Sequence, residues 1–415
     1  MAKYLVQIED APALFIIDCS WNMDAKLITE RTAPLVKFIR AASGHSSTPI
    51  LLVSGTPYRK NWLVSTPGAG NRTSENPGAI VDAASGASAR ALAAAYKQLV
   101  AGGVQGVSYL AGSTLFDTID GRGGSDWDDP TYNSIHPSDL GHTLMSQVYR
   151  VLLPKILAGE TVGAADADAD STLSQQSTAA ADVPPPEPKA VSKPPQLTEV
   201  WTPMEDLTVV GRAFDDTLYP FSRLPRSAHG GVREEVWNGS LCSAGVALRF
   251  STNATKIALS YETIWTFAPE GGPGLSWIAL GDEQHWAMSG LSGVDLYAFD
   301  AAGTKKWRFV SACSWLEGCS MPDITDPSVA HVIADGLPAR TTSYMLHLPL
   351  YNGIISGKIG AWSEDGTARI EKLPVELGLA PEPGDAAVVW YGTSILQGAM
   401  AARPGECTGV PPLCV

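Results

Sequence analysis

Residues 160–197, ETVGAADADADSTLSQQSTAAADVPPPEPKAVSKPPQL, constrain what this chain can fold into more than any other stretch. They contain almost no large apolar side chains and are crowded with Ala, Asp, Ser and Pro. Too little apolar surface is available there to offset the entropy of ordering, so the segment reads as a linker, partly extended by its prolines. The residues on either side must then fold around separate cores. For 415 residues, two domains and a linker match the usual domain size of about 100–200 residues.

The flanking parts are unlike each other. Before the linker, the apolar runs ALFIID (13–18), PILLVS (49–54) and GVSYLA (106–111) alternate with helical periodicity near 25–42, 82–101 and 138–157. Apolar strands separated by helices predict a parallel sheet covered on both faces. After the linker the helical period disappears. VALRFST, KIALSYET, SWIAL, VDLYAFD, KWRFVSA, SYMLHLPL and KIGAWSE follow, punctuated by Gly, Pro, Asn and Asp, and predict an antiparallel sandwich. Near the C-terminus, AAVVWYGTSILQGAMAARPG returns to the first pattern, with an apolar strand, a Gly-Thr-Ser turn and the start of a helix. The α/β domain is thus expected in two pieces, residues 1–159 and 386–415, around a linker (160–197) and a sandwich (198–385).

A formal charge of −14 repels phosphate backbones and anionic headgroups, so nucleic acid and membrane are not expected partners. No apolar run reaches the roughly 18–20 residues that a membrane helix needs, and MAKYLVQIEDAPALFIID lacks the layout of a signal peptide. The expectation is a soluble chain without an export signal, of undetermined compartment and oligomeric state. Six cysteines (19, 242, 313, 319, 407, 414) form no CxxC pair, so no zinc ribbon or redox dithiol is expected. Cys313 with Cys319, and Cys407 with Cys414, are each spaced to close a short loop.

Ser394 follows the last apolar strand directly and precedes a helical segment, so its hydroxyl should project from the C-terminal edge of a parallel sheet, where such folds bind ligands. Gly392 relieves the turn, and amides at the helix start favour an oxyanion. A serine there can also be a simple N-cap. His136, in TYNSIHPSDLGH, precedes Pro137 and a helix whose expected cap is Ser138. A neutral imidazole held in that loop could take the serine proton as general base.

YGTSILQGAMAARPG resembles the nucleophile block of SGNH/GDSL-type serine hydrolases, in the carbohydrate-esterase-like branch that carries a G-x-D-L-Y sandwich. SGVDLYAFD, at Gly293, Asp295, Leu296 and Tyr297, resembles that signature. GRAFDDTLYPFSRLP and VREEVWNGSLCSAG resemble the start of the same sandwich, and DCSWNM, TPILLVS and NSIHPSDLGH extend the likeness to the first half. The resemblance implies a flavodoxin-like, three-layer α/β hydrolase domain beside an all-β, jelly-roll-like sandwich. It implies Ser394 as nucleophile and oxyanion-hole N–H, Asn22 as oxyanion-hole amide, and His136 as base, with no cofactor and no metal. Without the resemblance, Asn22 reads as a cap for the following helix.

The family places Asp three residues before this His; here Asn133 stands there, and Asp128 and Asp129 are the nearby acids that could replace it. In serine proteases the equivalent Asp-to-Asn change costs about 10⁴ in kcat. Family members also continue past R-P-G to a second strand ending in an oxyanion-hole Gly, whereas Arg403-Pro404-Gly405 runs into ECTGVPPLCV. The expected order is therefore permuted or tandem-spanning, with that strand missing and activity impaired. The implied substrates are acetyl or other short acyl esters of carbohydrates. Trp201, Trp237, Trp265, Trp277, Trp286, Trp307, Trp315 and Trp362 offer faces for sugar rings, although such residues more often pack cores. The alternative is a non-catalytic glycan-binding or fragmentary relative.

Overall fold

The computed structural model describes residues 2–7, 12–55, 77–115, 136–163, 200–264, 288–304, 306–313, 331–373 and 388–406. The chain begins with α1 (Ala2–Leu5), β1 (Leu14–Asp18), α2 (Ala25–Ala41), β2 (Ile50–Val53), α3 (Pro77–Ala101), β3 (Val107–Leu110) and α4 (Asp139–Leu157). Next come β4 (Val200–Pro203), β5 (Thr208–Val210), α5 (Glu234–Ser240), β6 (Ala247–Thr252), β7 (Lys256–Thr263), α6 (Met288–Ser292) and β8 (Val294–Phe299). They are followed by β9 (Trp307–Cys313), β10 (His331–Asp335), β11 (Thr342–His347), β12 (Ile354–Trp362) and β13 (Ile370–Lys372), and last by β14 (Val388–Gly392) and the one-turn α7 (Ser394–Gln397).

Every residue of β1, β2 and β3 is buried, as strands covered on both faces must be. They form one parallel sheet in the order β14-β1-β2-β3. The alternation of side chains along β1 divides its residues between two layers. Phe15 and Ile17 pack with Ile28, Val36 and Ile39 of α2 and Leu92, Tyr96 and Leu99 of α3. Leu14 and Ile16 pack with Met145, Tyr149, Leu152 and Ile156 of α4, and with Ile395. This is the expected three-layer domain, and its sheet is assembled from both ends of the chain. β14 runs parallel to β1 in register from Leu14 opposite Val388 to Asp18 opposite Gly392.

Helix starts follow their capping chemistry. Asp24 accepts from the Leu27 amide at 2.7 Å to open α2, and Ser138 accepts from the Gly141 amide at 3.3 Å to open α4. α3 is described from Pro77, earlier than the periodicity suggests.

The sandwich pairs a sheet of order β10-β7-β12-β4 with one of order β13-β6-β11-β8-β9, in which β5 also joins β6. Ile257, Leu259 and Ile359 from the first face Leu248, Phe250, Leu296, Tyr344 and Leu346 from the second. Of the strands read from sequence, SWIAL lies outside the described residues. β4, β5, β10 and β13 were not anticipated. β4 and β13 are short sheet edges with mostly exposed side chains, so neither carries a period-two apolar signal. Among the described residues no helix is long and apolar enough to cross a membrane.

A chain lacking residues 386–415 leaves the β1 edge unpaired. Such a chain should lose cooperative melting of the α/β domain while the sandwich keeps its own transition, which calorimetry can resolve. An unchanged α/β transition would contradict the observed pairing.

Candidate active site

β14 and β1 end side by side at the C-terminal edge of the sheet, and the turns that follow carry Ser394 and Asn22. A side chain at Gly392 would collide with Leu396 and with the Asp18 carbonyl, 2.6 and 2.9 Å from where its Cβ would lie, so glycine is needed to bring the turn this close to β1. Thr393 is the N-cap of α7 and makes no side-chain capping bond. Ser394 is the first helical residue, so its hydroxyl is not used as a cap. Instead its Oγ lies 3.2 Å from Nε2 of His136, 258 positions away in sequence. With the imidazole proton on Nδ1, Nε2 accepts from the serine hydroxyl.

The first turn of α4 fixes this spacing. Asp139 accepts from the Ala402 amide at 2.7 Å through Oδ1, and His142 donates from Nε2 to the Ala399 carbonyl at 3.1 Å. The segment after Ser394 is therefore tied to the helix that follows His136. His142 is fully buried, and desolvation lowers its pKa to about 4, so it serves as a neutral donor.

Two family descriptions match the chain. One is the GDSL-like lipase/acylhydrolase family, over residues 1–154; the other is GxDLY, the N-terminus of SGNH-hydrolase-type esterases, over residues 199–267 and 278–366. Residues 1–154 are thus similar to GDSL-like hydrolases, and residues 199–267 with 278–366 to the GxDLY domain of SGNH-type esterases. Neither match includes Ser394, whose place beside the hydrolase segment rests on strand register and on its distance to His136.

Among solved structures, a chain from Bacteroides ovatus described as a GDSL-like lipase is 25% identical with a TM-score of 0.38, covering 51% of this chain and 51% of its own. The salicylyl-acyltransferase SsfX3 from a tetracycline biosynthetic pathway is 16% identical with a TM-score of 0.26, over 43% of this chain and 42% of its own. The chain thus spans about half the length of these relatives. At such scores neither superposition bears on the fold, which stands on the sheets described above. No curated protein matches.

Asn22 closes the short 3-10 turn Ser20–Asn22 after β1 and is exposed. It does not cap α2, since Asp24 does so, and its side chain makes no hydrogen bond to described residues. Asn133, Asp128 and Asp129 lie outside the described residues. Cys19, next to the site, is no rival nucleophile: burial and the neighbouring Asp18 raise its thiol pKa well above the usual range. Cys313 is disulfide-bonded to a cysteine outside the described residues, whereas Cys19 and Cys242 are free. Trp237 and Trp307 are buried, but in clusters separate from the core between the two sheets. Trp201 and Trp362 are half-buried, Trp201 lying on Gly360 with Lys358 Nζ 4.7 Å from its ring and Trp362 with Lys256 Nζ at 5.3 Å. Trp265, Trp277, Trp286 and Trp315 lie outside the described residues.

Sequence reading assigned no role to Asp18, Asp139 or His142. Asp139 and His142 sit one helical turn apart at the start of α4, an arrangement common in exposed helices. Asp18 did leave a signal, a carboxylate closing the apolar run LFIID. It shares the α4 face of the sheet with Tyr149, whose ring packs against Trp390 at 4.9 Å. Burial raises the Asp18 carboxyl from its ordinary 3.8 to about 7, so the folded state favours the protonated acid. The sign follows by linkage. Relative to the unfolded chain this group's contribution is most favourable below about pH 4 and is lost as pH rises to about 7. Asp18→Asn should therefore raise the melting temperature at pH 8, leave it nearly unchanged at pH 4, and flatten the slope between. A variant less stable than the parent at pH 8 would contradict the assignment.

Proposed function

We propose that the protein is a metal-independent serine ester hydrolase. The contact between Ser394 Oγ and His136 Nε2, bridging two distant parts of the chain, carries the reading. Ser394 attacks the acyl carbonyl while His136 takes its proton; the tetrahedral oxyanion is held by the Ser394 amide and the free side-chain amide of Asn22. His136 returns the proton to the departing alcohol, and a water activated by the same imidazole releases the acid from Ser394. The amide at the first position of α7 supports the oxyanion role, because no helical carbonyl precedes it. Asn133 is proposed as the partner that orients His136, in the place where the family carries Asp. Short acyl esters of carbohydrates are the proposed substrates, following the G-x-D-L-Y branch that the sandwich resembles.

Ser394→Ala and His136→Ala should each reduce p-nitrophenyl acetate hydrolysis by at least about 10³-fold, without an additive effect in the double variant. Activity should climb with pH as an imidazole gives up its proton, and a flat profile from acid to neutral pH would argue against a histidine base.

An asparagine can accept from the imidazole but cannot offset the charge that forms on it. Asn133→Asp should therefore raise turnover at least about tenfold. A parent enzyme already indifferent to that change, but disabled by Asp129→Ala, would move the orienting role to Asp129.

A further inference from the structure

The nucleophile turn is not self-supporting. α7 spans four residues, too few for a stable helix by itself. It ends at Gly398 (φ 95°), and Met400 (φ 67°) is the one non-glycine residue in the left-handed region among the described residues. That conformation is strained for an L-residue, so outside contacts must hold it. The bonds from α4 supply one side; the other side is the sandwich.

Tyr351, buried in the loop between β11 and β12, donates its hydroxyl to the carbonyl of Ser394 at 2.9 Å. Gln397 donates to the Leu350 carbonyl at 3.0 Å and accepts from Arg223 Nη2 at 3.2 Å. Gly290 of α6 approaches the Ala401 carbonyl so closely that no Cβ would fit. Downstream, the signature residue Asp295, fully buried on β8, accepts from the Gly405 amide at 2.9 Å and pairs with Arg403 at 3.4 Å. Arg403 also donates to the Tyr297 hydroxyl at 3.2 Å and lies 4.0 Å from the Phe309 ring centroid. The Asp and Tyr of G-x-D-L-Y thus hold the Arg-Pro-Gly that follows the nucleophile.

We propose that the β-sandwich is a positioning device for the nucleophile: Tyr351 is a positioning residue acting on Ser394 through its carbonyl, and Asp295 with Arg403 anchors the far end of the same segment. The proposal rests on the reading of Ser394 as nucleophile. Its bond falls on the peptide of the reacting residue, and a displacement of about 1 Å there can cost about 10²-fold in rate.

The test compares Tyr351→Phe and Arg403→Ala with a control, Lys256→Ala, which breaks the pair with Asp335 in the other sheet. All three are made in the full chain. The readouts are kcat and KM on p-nitrophenyl acetate, and hydrogen exchange at the amides of Gln397 to Ala401. Tyr351→Phe should lower kcat about tenfold with KM little changed. It should also speed exchange in that segment while β1 amides keep their rates, and Lys256→Ala should do neither. Unchanged kcat in both test variants, with or without faster exchange, would overturn the proposal. So would exchange that rises equally in β1, which marks a fold-wide role. If Ser394→Ala keeps its activity, the nucleophile reading fails instead. In a chain without turnover the exchange result decides whether the sandwich holds the segment.

Discussion

The parallel pairing of β14 with β1 places the serine turn beside the rest of the α/β domain. Without it Ser394 would belong to a short tail beyond the sandwich, and His136 would have no hydroxyl to meet. The pairing spans almost the entire chain, yet loop-closure entropy grows only logarithmically, each doubling of the loop costing about 0.6 kcal/mol. The residues opposite one another in β1 and β14 are nearly all apolar, and Gly392 keeps the end of the pair clear for the turn. Register then determines where the chemistry sits, because Asp18 and Gly392 finish together at the edge where parallel sheets present ligands.

Around that edge the protein relies on neutral buried groups. Desolvation keeps His142 uncharged and shifts Asp18 toward its protonated form, so neither places a full charge against the apolar layer formed by Met145, Tyr149 and Ile395. The site is also shared between domains. The start of α4 holds the segment after Ser394 from one side, and the sandwich holds it from the other through Tyr351, Gln397 and Arg403. The α/β domain and the sandwich therefore meet at the segment that begins with Ser394.

Much of this was legible in the sequence because its signals are local. Runs such as LFII and ILLV, too short for helices and apolar throughout, identify strands covered on both faces. The return of that pattern at VVWYGTS showed that the sheet had to be assembled from both ends. Ser394 and His136 were found from turn chemistry and motif, and the structure brings them to 3.2 Å. What stayed hidden depends on distant neighbours. Nothing near Tyr351 in LPLYNG announces a hydroxyl aimed at another domain, and Asp139 looks like any acid in a first helical turn. β13 and β4 gave no signal because they are short edge strands with mostly exposed side chains. Asn22 looked as much like a helix cap as a functional amide, and only the bond from Leu27 to Asp24 separates the two.

The most direct test of the proposed catalytic pair is covalent. The full chain would be incubated with a fluorophosphonate that reacts with activated serines, and its peptides mapped by mass spectrometry. The Ser394–His136 pair predicts a single adduct on Ser394 that disappears when His136 is replaced by alanine. An adduct on a different serine, or labelling of Ser394 that persists unchanged without His136, would contradict it.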